Sequence, residues 1–173
     1  MKTILDSPAT LPQLPVKVAA EVWIATALLH AEHADRTDFL IEEIVERAAR
    51  ERLHESLRPG VRVHAALHCV SNRAPNPARL KMLYATGRST RRLWRPGDPV
   101  HPQRTGRSLP DREEIPEPYR YLLDWYRRDY LKRPSEAESR WLDGILLLRG
   151  LGKEVWAGED PDEYVRGLRE GWE

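Results

Sequence analysis

The sequence predicts a mainly α fold with a small β-hairpin, an α+β core followed by further C-terminal helices. Three observations carry this. Apolar residues recur at helical spacing in three successive stretches between residues 15 and 73. Two short segments of strand character then flank a glycine-containing loop. A proline-dense stretch separates them from a second helical region.

Residues 1–14 show no periodicity and read as a loose arm. Pro15 suits the first position of a helix, where its missing N–H costs nothing. Val16, Ala19, Ala20, Trp23, Ile24, Ala27 and Leu28 then share one face of a helix ending near His33. After a polar link, Ile41, Ile44, Val45, Ala48 and Ala49 repeat the spacing through Leu53. Glu42, Glu43 and Glu46 lie near the start of this second helix, where its dipole favours them. Arg58-Pro59-Gly60 opens a third helix over residues 61–73. Its predicted core face is Val63, Ala66, Leu67 and Val70; the opposite face carries Val61, His64, Ala65, His68 and Asn72, with Ser71 at its edge. Pro75-Asn76-Pro77 ends it.

Residues 80–86 and 90–95 read as two strands joined through Gly87-Arg88-Ser89 and decorated by Arg88, Arg91, Arg92 and Arg95. The prolines at 96–118 predict an extended connection with Arg104 and Arg107 exposed. A fourth helix starts at Pro118 with Tyr119, Leu122, Leu123, Tyr126 and Tyr130 on one face. Trp141, Leu142, Ile145 and Leu146 form a fifth stripe, and Asp160-Pro161-Asp162-Glu163 opens a short sixth helix. No internal repeat is present.

Charge is unevenly spread. The 173 residues carry a net charge of +1, yet residues 58–110 hold 11 Lys/Arg against the single acid Asp98. Residues 1–57 and 111–173 are both net acidic. The central block is what a polyanion would meet. A single cysteine, Cys69, excludes an intrachain disulfide. The N-terminus lacks the apolar core of a signal peptide, and no apolar run has membrane-spanning length, so a cytoplasmic protein is expected.

Three helices followed by a hairpin is the order of a winged helix-turn-helix, and residues 15–97 are read as one. Residues 98–117 are its proline-rich connection, 118–149 C-terminal helices and 150–173 an acidic aromatic tail. The reading implies double-stranded DNA as partner and a role in transcriptional regulation. The third helix would enter the major groove while the hairpin reaches neighbouring phosphates. Phosphate contacts are expected from Arg58, Arg62, Arg73, Arg79, Arg88, Arg91 and Arg92. Base contacts are expected from His64, His68, Ser71 and Asn72, since Asn pairs bidentately with adenine. His64 and His68 also have the spacing of metal-binding histidines, with Cys69 adjacent. No HExxH or CxxC accompanies them, and neither a metal nor another cofactor is expected. No phosphate-binding glycine loop or GxSxG is found, and an enzyme is not expected, a nucleic-acid enzyme ranking last among the alternative readings.

In the tail, Trp156, Tyr164, Leu168 and Trp172 form a candidate partner-binding segment, because large aromatics on short helices are favoured interface anchors. This gives an alternative reading, a protein-binding module. Tyr119, Tyr126 and Tyr130 suit a core or a homodimer seam.

The stretches "EVWIATALLH", "RPGVRVHAALHCVSNRAPNP", "MLYATG" and "PEPYRYLLDWY" give residues 15–130 a resemblance to an uncharacterised bacterial family with a winged-helix-like domain. The tail "GLGKEVWAGEDPDEYVRGLREGW" resembles the C-terminal segment of small bacterial antitoxin-like proteins. That resemblance implies an N-terminal part on operator DNA and a tail docked on a toxin. Such antitoxins are usually shorter and carry a different N-terminal domain.

Overall fold

A computed structural model describes residues 16–75 and 78–133, together with Arg166. The chain divides into two units between Arg133 and Pro134. The first is a mixed α+β unit with, among its described residues, four α-helices and a small three-stranded antiparallel sheet.

Helix α1 (Val18–Glu32) is enclosed on all sides from Ala19 to His30. Sequence periodicity predicts one apolar face, but Ala, Val, Ile and Leu populate the whole circumference, which suits a central helix. Trp23 is fully buried at its middle and meets Tyr126 edge-on, with ring centroids 6.1 Å apart. The charged residues at its ends are matched. Buried Glu21 is paired with Arg58, and Glu32 with Arg47 of the next helix.

Strand β1 (Phe39–Leu40) is not legible in the sequence, because two residues are too few for an alternating pattern. It leads directly into α2 (Ile41–Glu51), where the Glu43 carboxylate accepts the Leu40 N–H at 2.8 Å and two bonds from Arg36. Helix α3 (Gly60–Val63) widens into a π turn over His64–His68, closed by the Cys69 N–H donating to the His64 carbonyl at 3.0 Å.

The π turn reverses the facing expected for this helix. Val61, Ala65 and Cys69 are buried, whereas Val63 is 45% exposed and Ala66 and Leu67 are half-buried. One extra residue per turn slips the phase of the pattern, so extrapolation back from buried Val70 selects the wrong side.

The hairpin forms as predicted from shorter strands, β2 (Leu83–Ala85) and β3 (Thr90–Leu93), paired Leu83 to Leu93 and Ala85 to Arg91. β1 adds to β3, giving the order β1-β3-β2. The chain leaving α3 runs parallel to the outer edge of β2. There the Ser71 N–H donates to Leu83 and the Leu83 N–H to Cys69. Asn72 continues the ladder with its side-chain amide: Nδ2 donates to the Ala85 carbonyl at 2.9 Å, and Oδ1 accepts the Ala85 N–H at 3.0 Å.

The proline-rich stretch is not a free connection. Gly106 N–H bonds Arg79, Lys81 N–H bonds Arg107, and His101 N–H bonds Ser71. Two 3₁₀ turns, Arg112–Glu114 and Glu117–Tyr119, then lead to α4 (Tyr121–Trp125) and a second π turn, Tyr126–Tyr130. Residues 118–133 therefore complete the core. Tyr126 and Tyr130 are buried against α1, and their hydroxyls donate to the Trp94 and Leu93 carbonyls. Among the described residues no helix is long and apolar enough to cross a membrane.

Candidate functional site

The α3 segment and the β2–β3 turn, to which the sequence assigns most of the expected DNA contacts, come together at one corner of the unit. Two arginines hold this corner in place. Arg91 on β3 is 1% exposed and donates to the Ala65 and Ala66 carbonyls at 3.2 and 3.0 Å. Its other face donates to Gly87, Arg88 and Thr90 carbonyls of the turn and strand. Arg104 is 2% exposed and donates to the Leu67 and His68 carbonyls at 2.7 and 2.6 Å. It also holds the Arg73, Ala74, Ala78 and Leu80 carbonyls.

The last four carbonyls of a helix have no intrahelical partner and sit at the negative end of its dipole. Residues 65–68 supply those carbonyls, and the two guanidinium forks reach all four, Leu67 also accepting the Val70 N–H at 3.2 Å. Among the described residues neither arginine has a carboxylate as a hydrogen-bond partner. Burial, with help from nearby Arg73, lowers Arg91 to about 10, and burial also lowers Arg104. Both still carry their charge near neutral pH. Positive charge is thereby set beneath this corner without a hydrogen-bonded anion.

The expected phosphate ligands separate into two groups. Arg88 is exposed in the hairpin turn, and Arg73 reaches its carbonyl at 3.5 Å, so these two share the tip. Arg79 is exposed on the segment before β2, and Arg62 is exposed on α3, paired with Glu42 of α2. The others turn inward. Arg58 is committed to Glu21 and to the Val16 carbonyl. Arg91 is the cap just described. Arg92 is buried in a two-bond pair with Asp98, at 2.6 and 2.8 Å, and stacks 4.5 Å over Tyr84. These three are structural arginines, not surface cations. Arg104, predicted to be exposed, is likewise internal.

The expected base-reading set is also redistributed. Ser71 is fully buried and its hydroxyl has no hydrogen-bond partner among the described residues. Asn72 is used up by Ala85. Both are therefore corrected to structural positions. His64 and His68 are half-buried, stacked edge-to-face 4.7 Å apart, with His64 Nδ1 bonded to the Gly60 carbonyl at 2.8 Å. Burial and the neighbouring His64 and Arg104 lower the pKa of His68. The side chains that α3 presents outward are instead Arg62 and Val63, which the sequence pattern places at the edge of the site and in the core.

Burial pushes the Cys69 thiol up to about 12, against the pull of Arg104, so it is unreactive at neutral pH. Among the described residues no cluster of three or more metal-ligating side chains forms. Trp156, Tyr164, Leu168 and Trp172 lie outside the described residues.

No protein-family model matches the chain, and no similar curated protein or solved structure was found. The resemblances noted for residues 15–130 and for the tail have no counterpart in these comparisons.

Proposed function

We propose that the first unit is a winged helix-turn-helix that binds double-stranded DNA as part of a transcriptional regulator. The observation that carries this reading is the order of elements. A helix, a short strand, two helices and a hairpin succeed one another, with the first strand added to the second strand of the hairpin. In this order the third helix and the hairpin turn border one surface. Arg91 bonds both at once, which fixes the turn relative to the helix. In the proposed complex the Arg62–Val63 face of α3 lies in the major groove, and Arg73, Arg79 and Arg88 meet phosphates. A face with one cation and small apolar side chains supports recognition weighted toward shape and backbone.

Fluorescence anisotropy of a labelled random duplex, titrated with the full chain at two salt concentrations, tests this. Affinity is expected to fall steeply as salt rises, because each neutralised phosphate releases counterions. Replacing Arg73, Arg79 and Arg88 together by Ala should weaken binding to every sequence and flatten the salt slope by roughly one for each lost phosphate contact. Absence of duplex binding at low salt, or an unaltered slope in the triple variant, overturns the reading.

A further inference from the structure

Away from the α3–hairpin corner, the loop at 105–112 closes one wall of an open cleft of about 680 Å³. Lys81 and the apolar side chains Leu109, Pro110 and Leu123 line it together with Arg107, Arg112 and Arg127. Asp111 is the single acid in the lining, and it is taken by Arg107, which also holds Glu114 at 2.5 Å. Those groups neutralise one another and brace the loop.

The remaining cations are uncompensated or loosely held. Lys81 rests 5.5 Å over the Trp94 ring, and among the described residues neither it nor Arg112 forms an ion pair. Arg127 meets Asp124 only at 3.9 Å, with both side chains largely exposed. The cleft thus combines an excess of positive charge with a small apolar patch at half-buried Leu109 (Pro110 and Leu123 are themselves buried), and its volume falls in the range of small-molecule sites. We infer that it binds a small organic anion, a carboxylate with an apolar body, with the carboxylate on Lys81 and Arg112 and the body against Leu109.

Two features make this more than a charged surface. Gly106 lies so close to the Arg79 carbonyl that an added Cβ would sit 2.6 Å from its oxygen, so the cleft wall is tightly docked. Arg104, immediately before this loop, holds the end of α3. A ligand in the cleft would therefore bear on the segment that positions that helix. Binding in the cleft requires no contact with nucleic acid.

The test is isothermal titration calorimetry of the full chain with cyclohexanecarboxylate, alongside neutral cyclohexylmethanol and inorganic phosphate. Saturable binding of the carboxylate is expected, with Kd on the order of 1 mM or tighter, and none of the alcohol. Replacing Lys81 and Arg112 together by Met should weaken it at least tenfold, whereas Arg128→Met, an exposed cation outside the lining, should leave it unchanged. Arg112→Met alone changes one exposed side chain, so it keeps the test valid should the double variant unfold; it too should weaken binding measurably. No saturable heat with the carboxylate, equal binding of the alcohol or of phosphate, or full affinity in the Lys81/Arg112 variants overturns the inference.

Discussion

Arg91 and Arg104 divide the four terminal carbonyls of the third helix between them, two each, although they lie on a strand and in a proline-rich loop respectively. A fork with donors in fixed directions suits this task, and a lysine does not. Replacing Arg104 by Met would leave several buried carbonyls without donors, and we expect a loss of about 3 kcal/mol or more in urea unfolding. Arg104→Lys keeps the charge but not the fork, and should lose nearly as much. A lysine variant as stable as the parent would show that charge alone suffices.

Asn72 stands in for a strand residue. Asn72→Ala removes both bonds to Ala85, at an expected cost of about 1–2 kcal/mol. The Ala85 amide, now lacking its acceptor, should exchange faster with solvent than amides of α1. Asn72→Asp sets a carboxylate against the Ala85 carbonyl and should do worse at neutral pH than at pH values where that side chain is protonated. Equal protection of Ala85 in parent and variant would remove Asn72 from the ladder.

His30 lies between the Phe39 and Tyr130 rings, at 4.8 and 4.9 Å, with no hydrogen-bond partner for either nitrogen among the described residues. Burial first, and then Arg133, Arg95, Arg92 and Arg36, lower its pKa from 6.5 to about 3. The folded state thus resists a proton that the unfolded chain accepts. Stability is complete above the unfolded value and is lost as pH falls from 6.5 toward 3, with a limiting slope of about 1.4 kcal/mol per pH unit. His30→Phe should remove that slope and raise Tm at pH 5. An identical pH profile in the variant would rule out His30 as its source.

Glu114 acts in a lower window. Burial would raise its pKa, but hydrogen bonds from Arg107 and Lys17 outweigh this and hold it at about 2. The stability it supplies is present above about pH 4.5 and drains away toward pH 2. Glu114→Gln should therefore be less stable than the parent at pH 7 and nearly equal to it at pH 2, as read from urea midpoints. A constant difference across that range would contradict the assignment.

Gly106 has no room for a side chain, because backbone of Arg79 faces it and cannot swing aside. Gly106→Ala should push the loop away from Arg79 and cost about 1–3 kcal/mol. It should also weaken binding in the cleft. An alanine variant with unchanged melting would mean that the loop yields freely.

The spacing of apolar residues makes most of the elements legible, from α1 and α2 to the hairpin, since long periodic runs and a glycine-bearing turn are local signals. The facing of α3 is not, because both sides of "VRVHAALHCV" are apolar or small and a π turn shifts their phase. Nor can composition separate arginines that solvate carbonyls from those that face solvent. Arg91 and Arg88 stand three residues apart in one basic run, and only the first is drawn inward, by carbonyls that tertiary structure delivers from 26 and 25 residues away. The cleft is invisible in the sequence for a similar reason. Lys81, Arg112 and Arg127 meet only after the proline-rich segment docks.

The parallel segment at 69–72 does for β2 what a further strand would do, and it is anchored by the same carbonyl cap that ends α3. Loosening that cap would therefore strip a cover as well as shorten a helix. A row of amides and carbonyls would stand open to the next molecule, and an uncovered strand edge is a template for pairing with another chain.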